Sequence, residues 1–285
     1  MRAIDIHTHP PAEPGTESEN REAGRSYFNQ TWEMPKTPAD MAATFEKLDI
    51  VACLLPVDNE TITGKRYTGD QWVAKIVDEF PERFIGFGSV DPHKGQAGVK
   101  QVEHAVKELG MRGFKFFPNG QRFFAHEAQY YPIWEKIAEL GVPIITHAGH
   151  AGGGSGQPGG GGLGLRYSDP MWWDDVAADI PELKIILAHP AWPWQEEQIS
   201  MLVHKANVFM DISGWSPRYF PEALVREMHT RLQNKILFGS DHPTLSVDRW
   251  LQDWKELGVA EELEPKIFLE NAKHVLGIDD WPEKQ

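Results

Sequence analysis

The stretch PIITHAGHAGGGSGQPGGGGL (143–163) sets a short apolar run against a loop made largely of glycine, with His147 at the junction. The run is continuous and does not alternate with polar residues, as expected for a strand buried on both faces of a parallel sheet. Glycine costs more backbone entropy to order than any other residue. A loop this rich in it either stays loose or lies closely against something.

The same pattern recurs along the chain. Apolar runs stand at AIDIH (3–7), IVACLLPV (50–57), FIGFGSV (84–90) and GFKFF (113–117), then at VPIITH (142–147), KIILAH (184–189), NVFMDIS (207–213) and KILFGSD (235–241). Amphipathic, helix-length stretches separate them, with candidates near 36–48, 68–80, 96–109, 128–140, 170–179, 194–206, 217–233 and 245–257, and a last one near 260–276. Strict alternation of strand and helix in 285 residues predicts an α/β fold of the (β/α)8, TIM-like barrel type, one domain over 1–285. A doubly wound open sheet is the alternative. Residues 10–36 and the glycine-rich loop 149–164 fall after strands one and five, over the face where such barrels carry their chemistry.

Composition narrows the function classes. Hydrophobic residues make up 41% and charged residues 25%, ordinary values for a globular chain. No apolar stretch reaches the length of a membrane span, and MRAIDIHTHP has no signal-peptide core. The single cysteine, Cys53, excludes an internal disulfide and suits a reducing, cytoplasmic compartment. A net charge of −14 argues against nucleic acid or an anionic membrane as partner and leaves a small molecule, which a local Lys/Arg pocket could hold even if anionic. A homodimer is compatible with this composition.

The informative residues end the strands. His7 and His9 alternate on strand one, so both reach one point at the barrel mouth. Lys115 lies on strand four, His147 ends strand five, His189 ends strand six, Asp211 lies on strand seven and Asp241 ends strand eight. Ionisable groups converging on one rim need a counter-ion. Imidazole nitrogen with carboxylate oxygen suits a divalent metal, Zn²⁺ in the first place and Mn²⁺ as the alternative.

Taken as an ordered series, IDIHTH, THAG, ILAHP and LFGSD resemble the amidohydrolase superfamily, and within it the branch of aminocarboxymuconate-semialdehyde and γ-resorcylate decarboxylases. The resemblance implies that His7, His9, His147 and Asp241 ligate one metal. It gives His189 an acid/base role beside that metal, with Asp241 shared between ligation and catalysis. A lysine on strand four that is carboxylated and bridges two metals, as in other branches, keeps a binuclear site open at Lys115. The other readings of Lys115 are a cation for the substrate's anionic group or a side chain that snorkels to the rim.

The glycine loop, with DDVAADIPELKIILAHPAWPWQEE and DISGWSPRYFP, is similar to a subgroup of 4-hydroxyphenyl-β-ketoacyl-CoA hydrolases. The chain departs from that subgroup at Phe117, where a histidine is expected, and at His150, where Thr or Gln is expected. The resemblance implies hydrolytic C–C cleavage of an aromatic β-ketoacyl-CoA to an aromatic acid and acetyl-CoA. Non-oxidative decarboxylation of a hydroxybenzoate-like or muconate-like acid is one alternative, and lactone hydrolysis another. Backbone amides of the loop and Arg166 are candidates for a coenzyme A phosphate, and Trp192 and Trp215 for an aromatic wall.

Overall fold

The computed structural model describes residues 3–14 and 26–278. The strands are β1 (Ala3–Thr8), β2 (Ile50–Leu54), β3 (Phe84–Gly86, continuing as Gly88–Ser89), β4 (Phe114–Phe116), β5 (Ile144–His147), β6 (Ile185–Ala188), β7 (Val208–Asp211) and β8 (Ile236–Leu237). Ladder pairing breaks at Phe87 in the middle of β3, which divides the strands into groups of three and six segments. The division is only local. Phe87 N–H donates to the Leu54 carbonyl on one side, and Gly88 N–H donates to the Gly113 carbonyl on the other.

All neighbouring strands pair in parallel. The ring then closes: Ile6 N–H donates to Phe238 O at 3.0 Å, Asp241 N–H to His7 O at 2.9 Å, and Thr8 bridges His242. The result is the eight-unit TIM barrel that the alternation predicts. Apart from β1, the observed strands are shorter than the apolar runs, chiefly because residues after the ladder turn over the mouth. The helix expected over 217–233 is reduced to Glu222–Met228 behind a 3-10 turn at Pro217–Tyr219. Pro217 and Pro221 account for the late start, since proline cannot donate the bond that would continue a helix through them.

The pleat sorts the side chains into two layers. Phe114, Phe116, Ile144, Leu187, Met210 and Phe238 pack outward against the helices. Val51, Cys53, Ile85, Phe87, Ile145 and Phe209 belong to a separate apolar cluster. Two residues on from Ile145 is His147, two on from Phe209 is Asp211, and four on from Leu237 is Asp241. The period of two therefore lifts the ionisable residues onto a rim directly above an apolar floor.

Phe116 is fully buried, with its ring 4.8 Å from Trp134 and 6.3 Å from Trp173 in the helical layer. Phe116→Ala is expected to destabilise the fold by about 3–5 kcal/mol, the usual cost of a phenylalanine-sized cavity. Urea unfolding should show a lowered midpoint at unchanged slope; a loss under about 1 kcal/mol would mean that the layer collapses into the gap.

Candidate active site

Four histidines and two aspartates meet at the mouth. His7 is buried, its Nδ1 2.9 Å from Asp211 Oδ2 and its Nε2 3.0 Å from Lys115 Nζ. His9 places Nδ1 3.0 Å from the Leu55 carbonyl and Nε2 3.1 Å from Asp241 Oδ1. His189 places Nδ1 2.8 Å from Ser213 Oγ, and Ser213 Oγ also hydrogen-bonds Asp211. In each of these three rings a protein group occupies Nδ1, which leaves Nε2 for the chemistry. His147 Nε2 is buried without a hydrogen-bond partner among the described residues.

The His9–Asp241 contact is informative. A carbonyl can only accept, so His9 Nδ1 must donate to Leu55. In the neutral ring Nε2 then presents a lone pair to a carboxylate oxygen 3.1 Å away. That arrangement needs a cation, either a proton on Nε2 or a metal ion between the two groups. His7 Nε2, His9 Nε2 and Asp241 form a set whose ligand atoms all lie within 4.8 Å of one another. With the orphaned His147 Nε2 on the same cavity, these donors fit a divalent ion. A second set of this kind, His7, His189 and Asp211, shares His7 with the first.

Charge is distributed unevenly around the rim. Burial, reinforced by Lys115, pushes the His7 pKa down to about 3, so its ring is neutral. Burial alone would raise Asp211, yet His7 and Ser213 hold it well below the usual carboxylate range. Asp241 is held low in the same way by its histidine neighbours against the effect of burial. Burial lowers His147 and His189. It also lowers Lys115 to about 8, which makes this ammonium easy to deprotonate.

His189 and Asp241 are held at φ +71° and +63°. Non-glycine residues adopt this left-handed conformation at a cost of order 1–3 kcal/mol, which surrounding structure has to offset. Gly214 lies against the His189 ring: a Cβ there would stand 2.4 Å from His189 Nδ1. Ser213, Gly214 and the contact from Asp211 to His7 form a supporting layer that sequence reading did not identify, apart from placing Asp211 on strand seven. The period of two from Asp211 to Ser213 was the available signal.

The cavity under the rim is about 270 Å³ and is walled by Phe28, Met34, Val57 and Phe117 beside Lys115. Phe117 packs edge-on to His147 at 5.1 Å and makes this wall apolar. The roof comes from the loop after β1. Gln30 Nε2 donates to Thr244 O at 2.8 Å and Trp32 Nε1 to Pro243 O at 3.0 Å. Residues 15–25 of that loop lie outside the described residues.

The glycine loop lies against this roof. A Cβ on Gly156 would fall 2.2 Å from the Tyr27 ring, and one on Gly154 would fall 2.0 Å from the Gly160 carbonyl. These close approaches account for at least two of the glycines without a phosphate. Arg166 is exposed, its guanidinium lies 4.9 Å from the Tyr167 ring centre, and it does not line the cavity. Trp192 also stays off the lining; it is half exposed and packs edge-on to Trp215 and His150. Trp215 and His150 do line an outer lobe of the cavity. His147 lines the cavity but lies outside both close ligand sets.

A family model described as amidohydrolase matches residues 4–278. A 2-amino-3-carboxymuconate-6-semialdehyde decarboxylase from Dictyostelium discoideum is 23% identical over 75% of this chain and 66% of its own length, so this chain matches just under two thirds of it. A 2-keto-4-carboxy-3-hexenedioate hydratase from Sphingobium sp. is 27% identical over 66% of this chain and 65% of its own. Among solved structures, a dihydroxybenzoic acid decarboxylase from Polaromonas sp., with bound manganese and 2-nitroresorcinol, superposes with a TM-score of 0.67 at 18% identity. That match covers 98% of this chain and 97% of the other.

Asp211→Asn should weaken divalent-metal affinity by about 10–100-fold, the usual effect of losing a partner that orients a ligating histidine. His7→Ala and Asp241→Ala should abolish metal retention while circular dichroism stays native. Elemental analysis after dialysis checks all three, and full metal content in His7→Ala and Asp241→Ala would remove the rim as the metal site.

Proposed function

The chain belongs to the amidohydrolase family, and from that premise we propose that it is a divalent-metal-dependent, non-oxidative decarboxylase of an aromatic or muconate-like carboxylic acid. At the coarser level it is an amidohydrolase-superfamily enzyme. The observation that carries the finer reading is Lys115, a buried ammonium beside the His/Asp rim in a small cavity with apolar walls. A single ring with its carboxylate matches both the size and the charge, since drug-sized ligands occupy pockets of ~300–1,000 Å³. Decarboxylases among the relatives and structural neighbours support the same reading.

His7, His9 and Asp241 would hold the ion, with His147 completing the set. When bound, the ion supplies Lewis-acid polarisation of the substrate's oxygens. Zn²⁺ and Mn²⁺ both suit this N/O donor set, and the manganese belongs to the neighbour's structure. Lys115 pairs with the reacting carboxylate or an adjacent phenolate. Phe28, Met34 and Phe117 flank the ring and strip water from the carboxylate, a charge better tolerated in water than after burial.

His189 donates Nδ1–H to Ser213, so it would first take up a proton at Nε2, an uptake favoured by the nearby Asp241 and Asp211 carboxylates, and then deliver it to the ring carbon that bears the carboxylate. The C–C bond then breaks and its electron pair restores the ring as CO₂ leaves. Asp241 is the alternative proton carrier. Hydrolysis of a β-ketoacyl-CoA keeps less support, because Arg166 stands outside the cavity and the glycine loop is engaged with Tyr27.

The metal-loaded protein should release CO₂ from one or more members of a panel of hydroxybenzoates and muconate semialdehydes. His189→Asn should keep its metal and lose about 10²-fold or more in kcat, as for a lost acid/base group. Thiol release from aryl β-ketoacyl-CoAs, ring opening of lactones or hydration of an enoic acid, each without CO₂, would replace the decarboxylase reading. Near-normal turnover in His189→Asn would make that residue structural.

A further inference from the structure

The inner cavity is continuous with an outer lobe of about 390 Å³ through shared walls at Phe28, Gln30 and Thr244. His147, His189 and Asp241 border both lobes, so the reacting position lies at their junction. Trp32 and Trp215 give the outer lobe its aromatic sides, and Arg249 stands at its margin. Lys115 is the only Lys or Arg lining the inner lobe among the described residues, and Arg249 the only one lining the outer.

Among the described residues the Arg249 guanidinium is only lightly engaged, through Nε. Its one ion pair among the described residues is with Asp253, at 3.6 Å. Asp253 is already held by Arg218 Nε at 2.8 Å and by Ser216 Oγ at 2.6 Å. The Arg249 side chain is 59% exposed, so its fork remains free for a ligand. In a chain of net charge −14, one cation lining each lobe of an aromatic-walled cavity is, among the described residues, a specific arrangement. Arginine presents paired N–H donors that match a carboxylate.

We infer that the substrate is a dianion: one carboxylate reacts at the Lys115 end while a second, on the far side of the ring or conjugated chain, is held by Arg249. This inference rests on the decarboxylase reading for which carboxylate reacts, but the binding of the second one does not depend on the reaction. Trp215 would lie along the arm that joins the two. Arg249 is then a specificity-determining residue, distant from the proton transfer.

The test uses two hydroxybenzoate probes that differ in one group: each carries a short side arm meta or para to the ring carboxylate, ending in a carboxylate or in its carboxamide. In the wild-type enzyme kcat/KM should favour the carboxylate arm by about tenfold or more, as a charge-assisted, bidentate pair allows. In Arg249→Met that ratio should fall to near one, and Arg249→Lys should recover part of it. The same ratio is read from dissociation constants by tryptophan fluorescence titration, which requires no turnover. A wild-type ratio near one at both arm positions, or an unchanged ratio in Arg249→Met, would overturn the inference. A preserved binding ratio without CO₂ from either probe or from any member of the hydroxybenzoate and muconate-semialdehyde panel would overturn the decarboxylase reading and leave the dianion site standing.

Discussion

The hydrogen bond from Asp241 N–H to the His7 carbonyl, 2.9 Å long, joins the last strand to the first. Residues 234 positions apart in sequence become neighbours only when the eighth strand returns to close the ring. Everything at the mouth depends on that closure. It sets Asp241 Oδ1 3.1 Å from His9 Nε2 and 3.7 Å from His7 Nε2. It also creates the floor on which Lys115, His147 and His189 stand. An open sheet built from the same strands would leave His7 and Asp241 at opposite edges.

Concentrating so many ionisable groups over an apolar floor is unfavourable unless each is paired. The rim meets this requirement in two ways. Behind the histidines, Asp211 and Ser213 fix ring orientation and supply negative charge to His7. In front, His9 Nε2, His147 Nε2 and Asp241 are matched only by a cation. Burial also drives His7 and Lys115 toward their neutral forms. A metal would therefore meet unprotonated nitrogen at His7, and a substrate would meet an ammonium that is still partly charged. The roof adds selectivity: Gln30 and Trp32 tie the loop after β1 to Pro243 and Thr244, just beyond Asp241.

Much of this was legible in the sequence, for identifiable reasons. Continuous apolar runs report strands buried on both faces. The period of two turns His7-x-His9 and the strand-end His147, His189 and Asp241 into one rim without knowledge of any contact. Where Arg166 points was not legible, because adjacency to a loop does not fix the direction of a long side chain; its guanidinium lies against Tyr167. The glycine loop was half read. Its close approach is real, but the group approached is an aromatic ring from the loop after β1, a long-range contact that local sequence does not encode. Asp211 was seen at its strand end, whereas its pairing with His7 required the barrel's closure. Ser213 and Gly214 gave no signal beyond their spacing from it.

The central claim is that the rim is a cation site and not merely a histidine–carboxylate ion pair. Anomalous X-ray scattering from crystals of the purified protein, recorded across the zinc and manganese absorption edges, tests it most directly. One strong peak is expected in direct coordination, about 2.0–2.2 Å, to His7 Nε2, His9 Nε2 and an oxygen of Asp241. In that state Lys115 Nζ should have turned away from His7. A peak elsewhere, or none while His9 Nε2 still meets Asp241 directly in crystals grown with either metal, would contradict it.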